Sequence, residues 1–188
     1  MIKQQLAPPR VIPLTIDGQR SLGIFVTGQS DIAVLMVNGG AQIRAGSHRM
    51  QQQLASFLQQ QQISSFRFDF PGFGDAEGQP KDFIQHAHWL SQVLSTAQQA
   101  EPRVKHWVFF GLCDGASAIL LNQQVLQQAA GLILLNPWCR AEQNHAHFCG
   151  QCLQRRHRLL ANWHEEKHVE QRKQQPARDV GPEQCCHR

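Results

Sequence analysis

The sequence has no apolar stretch approaching the roughly 20 residues that a membrane-spanning helix needs, so no membrane span is expected. Its N-terminus, "MIKQQLAPPRVIPL", lacks an apolar core and a small-residue cleavage site. A secretory leader is therefore not expected, and a cytoplasmic location is. Aromatic residues make up only 7% of the chain, and much of its basic character falls late, in "LQRRHRLL" and "EQRKQQPARD". The net charge of +4 thus reads as a solvated basic tail, and no nucleic-acid partner is expected. Cysteine is nearly missing from the body of the chain, where Cys113 stands alone. The other five, Cys139, Cys149, Cys152, Cys185 and Cys186, follow later, which does not make a disulfide framework.

What is present suits one globular domain: 188 residues, 41% hydrophobic and 17% charged. In "VIPLTIDGQRSLGIFVTG" two β-rich runs flank Asp17-Gly18, a dipeptide suited to a tight hairpin turn. "IAVLMVNGG" is a continuous apolar run ending in glycines, the pattern of a strand covered on both faces. "SHRMQQQLASFLQQQQI" spaces Met50, Leu54, Phe57 and Leu58 along one helical stripe, with glutamines expected on the opposite, solvated face.

"ISSFRFDF" then runs as a strand into the glycine-rich "PGFGDAEG". A second helix carries Phe83, Ala87, Leu90 and Leu94 on one face. "KHWVFFG" is a strand, "CDGASAILLNQQVLQQA" a single third helix, and "GLILLNPW" a further strand. A hairpin followed by repeated strand, helix, strand predicts an α/β fold: a mostly parallel sheet with helices on both faces.

Gly111-Leu112-Cys113-Asp114-Gly115 lies between a predicted strand and a predicted helix. It fits the G-x-S-x-G nucleophile elbow with cysteine in the serine position. The spacing has a steric reason, because small residues two positions either side of the nucleophile let strand and helix approach without a Cβ clash. A cysteine at a helix N-terminus meets the positive end of the helix dipole, which favours the thiolate. Cys113 is the expected nucleophile, and the Asp114 N–H is expected to face the developing oxyanion. The loop "VNGGAQ" is placed to give the second donor, with Gly40 the chosen N–H. The competing reading is an inert small residue in a tight turn.

With these elements in order the chain resembles the α/β-hydrolase superfamily. More narrowly, "GGAQIRAGSHRM", "RFDFPGFGDAEG", "GLCDGASA" and "LLNPW" together resemble the exosortase A system-associated hydrolase 1 family, found with bacterial exopolysaccharide and protein-sorting gene clusters. The likeness covers roughly residues 10 to 140. It implies a hydrolase-like fold with Cys113 in the nucleophile position. Pro71 stands where the superfamily often has Arg, and Ala76 where Ser is common. Asp69 and Asp75 are expected to organise their loop rather than to act in catalysis, and His48 is expected to be structural.

The superfamily order is nucleophile, acid, histidine, the last two on loops after later strands. The sequence offers no apolar strand after "GLILLNPW", so neither partner is identified and the fold is expected to be incomplete at its C-terminus. Residues 1–140 are therefore read as a hydrolase-like domain, and 141–188 as an atypical tail, disordered or translated out of frame. The tail's His145, His147 or His164 could replace the missing base only if a rigid loop held one within hydrogen-bond reach of the sulfur. His145, His147, Cys149 and Cys152 include one C-x-x-C spacing without a second pair, so no metal is expected, and no cofactor.

The expected activity is hydrolysis of an ester, thioester or lactone by acyl transfer through Cys113 to water. A thiol in this elbow also resembles dienelactone hydrolases. The expected partner is a small-molecule acyl substrate. The alternative is a catalytically incomplete fragment or a non-enzymatic interaction protein. A last strand left unpaired on one side is also expected to promote self-association.

Overall fold

A computed structural model describes residues 6–137. Six strands and four helices follow in the order β1 (Arg10–Ile16), β2 (Gln19–Val26), β3 (Ile32–Val37), α1 (Met50–Gln60), β4 (Ser64–Phe68), α2 (Phe83–Ala100), β5 (His106–Leu112), α3 (Asp114–Leu121), α4 (Gln123–Gln128) and β6 (Ala129–Leu135). They form one sheet of order β1-β2-β4-β3-β5-β6. β1 pairs antiparallel with β2, and β2 antiparallel with β4, while the β4-β3-β5-β6 pairs are parallel. The readings of the tail, 141–188, lie outside the described residues.

The opening hairpin turns at Asp17 (φ 52°) and Gly18 (φ 75°), with Ile16 opposite Gln19. Positive φ at both central residues matches the right-handed twist of the flanking strands, which is why this dipeptide marks the turn. β3 is covered on both faces, as its unbroken apolar run requires. Leu35 and Val37 join Phe25, Phe66, Phe68 and Phe109 in the larger core, beneath α2 and α3. Val34 and Met36 turn to the other face and pack with Phe110 and Ala55, under α1. Among the described residues no helix is long and apolar enough to cross a membrane.

Two local expectations are corrected. The buried stripe of α1 is Gln51, Ala55 and Gln59, flanked by half-buried Met50, Leu54 and Leu58, while Phe57 is 56% exposed. The helix is thus turned by about one residue position from its apolar stripe. Gln59 is tolerated inside because its amide donates to the carbonyls of Ala7 at 2.7 Å and Thr27 at 3.2 Å. The third helix is two helices. Asn122 leaves helical geometry with ψ 100°, and its Oδ1 accepts from Val125 N–H at 2.8 Å, capping α4. Asn122 Nδ2 also donates to the carbonyl of Ala87, so the break is tied to α2.

Candidate active site

Cys113 closes β5 and caps α3 with φ 54° and ψ −121°, a sparsely populated conformation for a residue with a Cβ. Geometry around it explains both flanking glycines. A Cβ on Gly111 would stand 2.7 Å from Ala116 Cα, and one on Gly115 would stand 2.6 Å from the carbonyl oxygen of Asn38. Strand and helix therefore approach as closely as the pentapeptide spacing predicts. The strained turn is held by its own backbone: Cys113 N–H donates to Leu135 O at 2.9 Å and Cys113 O accepts from Ser117 N–H at 3.1 Å. The Asp114 N–H heads α3, where the first amides have no intrahelical carbonyl to bond.

The loop after β3 lies against this elbow. A Cβ on Gly39 would stand 2.8 Å from Asp114 N and 3.1 Å from Cys113 Cβ. Gly40, next to it, has φ 57° and open space where a side chain would be. The structure thus brings Cys113, Asp114 and the Gly39-Gly40 turn to one place at the carboxyl ends of the parallel strands.

No acid and base pair accompanies them among the described residues. Cys113 Sγ donates to Asp114 Oδ1 at 3.8 Å, and no described histidine bonds to it. His48 is exposed in the turn before α1, with φ 50°, and acts as part of that turn. Asp69 and Asp75 are loop organisers, both bonded to Arg44. Asp69 also accepts from the N–H groups of Arg44 at 2.6 Å and Asp75 at 3.4 Å. His145, His147, His164 and the tail cysteines lie outside the described residues. Among the described residues no group of three or more His, Cys, Asp or Glu could hold a metal ion.

Two features escaped the sequence reading. Arg44 joins the loop after β3 to the loop after β4 through Asp69 and Asp75, a pairing across two loops that no periodic pattern in the sequence marks. His86 is 2% exposed and stacks on Phe70 with ring centroids 3.9 Å apart, beside Phe73 and Trp89. Burial pushes its pKa from 6.5 down to about 4, weakly opposed by Asp82. It is therefore a neutral ring in an aromatic cluster at neutral pH.

Comparison with known proteins agrees with this architecture. The Hydrolase_4 family, described as serine aminopeptidase, S33, matches residues 28–184. The chain is similar to the alpha/beta hydrolase GrgF from Penicillium sp. sh18, at 20% identity and TM-score 0.62, over 91% of this chain and 57% of that one. It is similar to the Pyrococcus furiosus esterase Pf2001, at 17% identity and TM-score 0.58, over 66% and 50% of the two chains. XC6422 from Xanthomonas campestris, an a/b serine hydrolase without lid, aligns at 16% identity and TM-score 0.59, over 74% and 67%. At such identities the likeness carries the fold alone. The chain spans little more than half the length of GrgF and half that of Pf2001. No curated protein matches it.

Proposed function

The chain belongs to the Hydrolase_4 (serine aminopeptidase, S33) family, and from that premise we propose that it hydrolyses an ester, thioester or lactone through Cys113. The thiolate sulfur attacks the acyl carbon, and the carbonyl electrons move onto oxygen. The N–H groups of Gly40 and Asp114 hold the resulting oxyanion. Its collapse breaks the bond to the leaving alcohol or thiol, or opens the lactone ring, and the departing oxygen or sulfur takes a proton from water, leaving an acyl thioester on Cys113. Water then cleaves the thioester to give the acid and the free thiol. The observation that carries this reading is the strained Cys113 backbone, with φ 54°, facing the Gly39-Gly40 turn. The four motifs resembling the exosortase A system-associated hydrolase 1 family support a substrate belonging to an exopolysaccharide or exosortase system.

A second reading has its own support. With no described histidine bonded to Cys113, the water step lacks a base there. The chain would then accept one acyl group and stop, as an incomplete hydrolase or a binding protein. Release of p-nitrophenolate from p-nitrophenyl acetate separates the two. Many turnovers, lost in Cys113→Ala, support the enzyme, and a single stoichiometric burst supports the incomplete form. Equal release by wild type and Cys113→Ala would contradict both.

A further inference from the structure

Arg44 ends the loop that begins at Gly39, and its backbone N–H and carbonyl and both Nη atoms are taken up by β4 or the loop after it. Its N–H donates to Asp69 Oδ1 at 2.6 Å, and its guanidinium bonds Asp69 Oδ2 through Nη1 and Asp75 Oδ2 through Nη2. Its carbonyl accepts from Arg67 Nη1 at 3.3 Å. The Asp69 side chain is fully buried, and Gly74 is packed against it so closely that a Cβ there would clash with the carboxylate. The receiving loop is itself fixed to the sheet, where Glu77 N–H donates to Arg20 O at 2.8 Å.

Between Gly39 and Arg44 the loop is short and nearly closed, with Asn38 Nδ2 donating to Ile43 O at 2.8 Å. Burial works against the Arg44 cation, yet the two carboxylates outweigh it and raise its pKa. Arg67 behaves oppositely: burial and then the neighbouring Arg44 lower its pKa. Arg44 is thus the cation matched to this pair of carboxylates.

We propose that Arg44 is a positioning residue for the oxyanion hole: clamped by Asp69 and Asp75, it fixes the far end of the 39–43 loop so that the Gly40 N–H stays aimed at the acyl oxygen. This rests on the reading of Cys113 as an acyl-accepting nucleophile. The elbow sets one end of the loop through the close packing of Gly39, and the Arg44 fork sets the other. Arginine suits the task because its rigid planar fork meets two carboxylates in a fixed geometry, whereas a lysine offers a compact charge on a flexible stem.

The test compares two reactions at one sulfur. Acylation by p-nitrophenyl acetate passes through an oxyanion, whereas alkylation by iodoacetamide displaces iodide and makes none. Both rates are read at the Cys113 peptide by mass spectrometry in the full chain. Arg44→Met should slow acylation by roughly tenfold or more, since loss of a single oxyanion donor costs about 100-fold or more. Alkylation should stay within about twofold of wild type. Arg44→Lys should recover part of the acylation rate. Asp75→Asn changes only the exposed partner of the fork and should give a smaller loss of the same kind.

Unchanged acylation in both Arg44→Met and Asp75→Asn overturns the positioning role, as does a parallel change in acylation and alkylation. A wild-type Cys113 that alkylates but never acylates overturns the hydrolase reading itself, and the positioning role with it.

Discussion

Gly39 lies so close to the head of α3 that a Cβ on it would stand 2.8 Å from the amide nitrogen of Asp114. That Cβ would also clash with the carbonyl oxygen of Leu112. Backbone atoms cannot rotate away, so Gly39→Ala should push the 38–44 loop off the elbow. We expect a stability loss of about 1–3 kcal/mol, typical of overpacking, with a larger proportional loss of Cys113 acylation than of alkylation. Urea denaturation of the two proteins checks the first part, and unchanged stability would contradict it.

The strain at Cys113 predicts a trade between stability and reactivity. A non-glycine residue in such a conformation carries about 1–3 kcal/mol of strain, and Cys113 has φ 54°. Glycine there would relieve the strain at a cost of about 0.5–1 kcal/mol in unfolded-chain entropy. Cys113→Gly should therefore be more stable than wild type and wholly unreactive to p-nitrophenyl acetate at this position. A variant destabilised by 1 kcal/mol or more would mean that the elbow is not strained.

Much of this was legible because it is local. The Asp17-Gly18 turn, the doubly covered β3 run and the G-x-C-x-G spacing each declare their geometry within a few residues. Features depending on partners distant in sequence were not. Asn122 reads as one more polar residue on a helix, and only its bonds to Ala87 and Val125 reveal the break between α3 and α4. The turned face of α1 escaped detection because Gln59 is satisfied by Ala7 and Thr27, far away in the chain. Arg44 belongs to no periodic face, so its fork to Asp69 and Asp75 had no pattern to show it. His86 could have been found, since it lies three residues after Phe83 and four before Leu90, on the buried stripe of α2.

That histidine predicts a dependence of stability on pH. In the unfolded chain its ring takes a proton near the ordinary value of 6.5, and in the folded chain only near about 4. The unfolded state thus binds the extra proton between these values, and folding stability falls as the pH drops through that window. The loss reaches on the order of 3 kcal/mol by pH 4. His86→Phe keeps a ring against Phe70 and removes the titration. Its stability should fall less than that of wild type between pH 6.5 and 4, as read by thermal melts. Parallel curves for the two proteins would contradict this.

The sheet edge predicts association. Among the described residues β6 pairs only with β5, and Ile133 and Leu135 are 46% and 44% exposed on it. We propose that copies of the chain associate through this strand, since an apolar edge whose outer backbone donors have no strand partner among the described residues can recruit another strand. Sedimentation velocity should show concentration-dependent association that Ile133→Lys with Leu135→Lys reduces. Wild-type protein that stays monomeric over the same range would contradict it.

The central claim is that Cys113 accepts an acyl group. Its most direct test is the mass of the tryptic peptide containing Cys113 after a brief exposure to p-nitrophenyl acetate, with the other five cysteines followed in the same digest. The account predicts a thioester adduct at Cys113 that forms well ahead of any at the others and is missing in Cys113→Ala. Acetylation spread evenly over all six cysteines, or sparing Cys113, would contradict it.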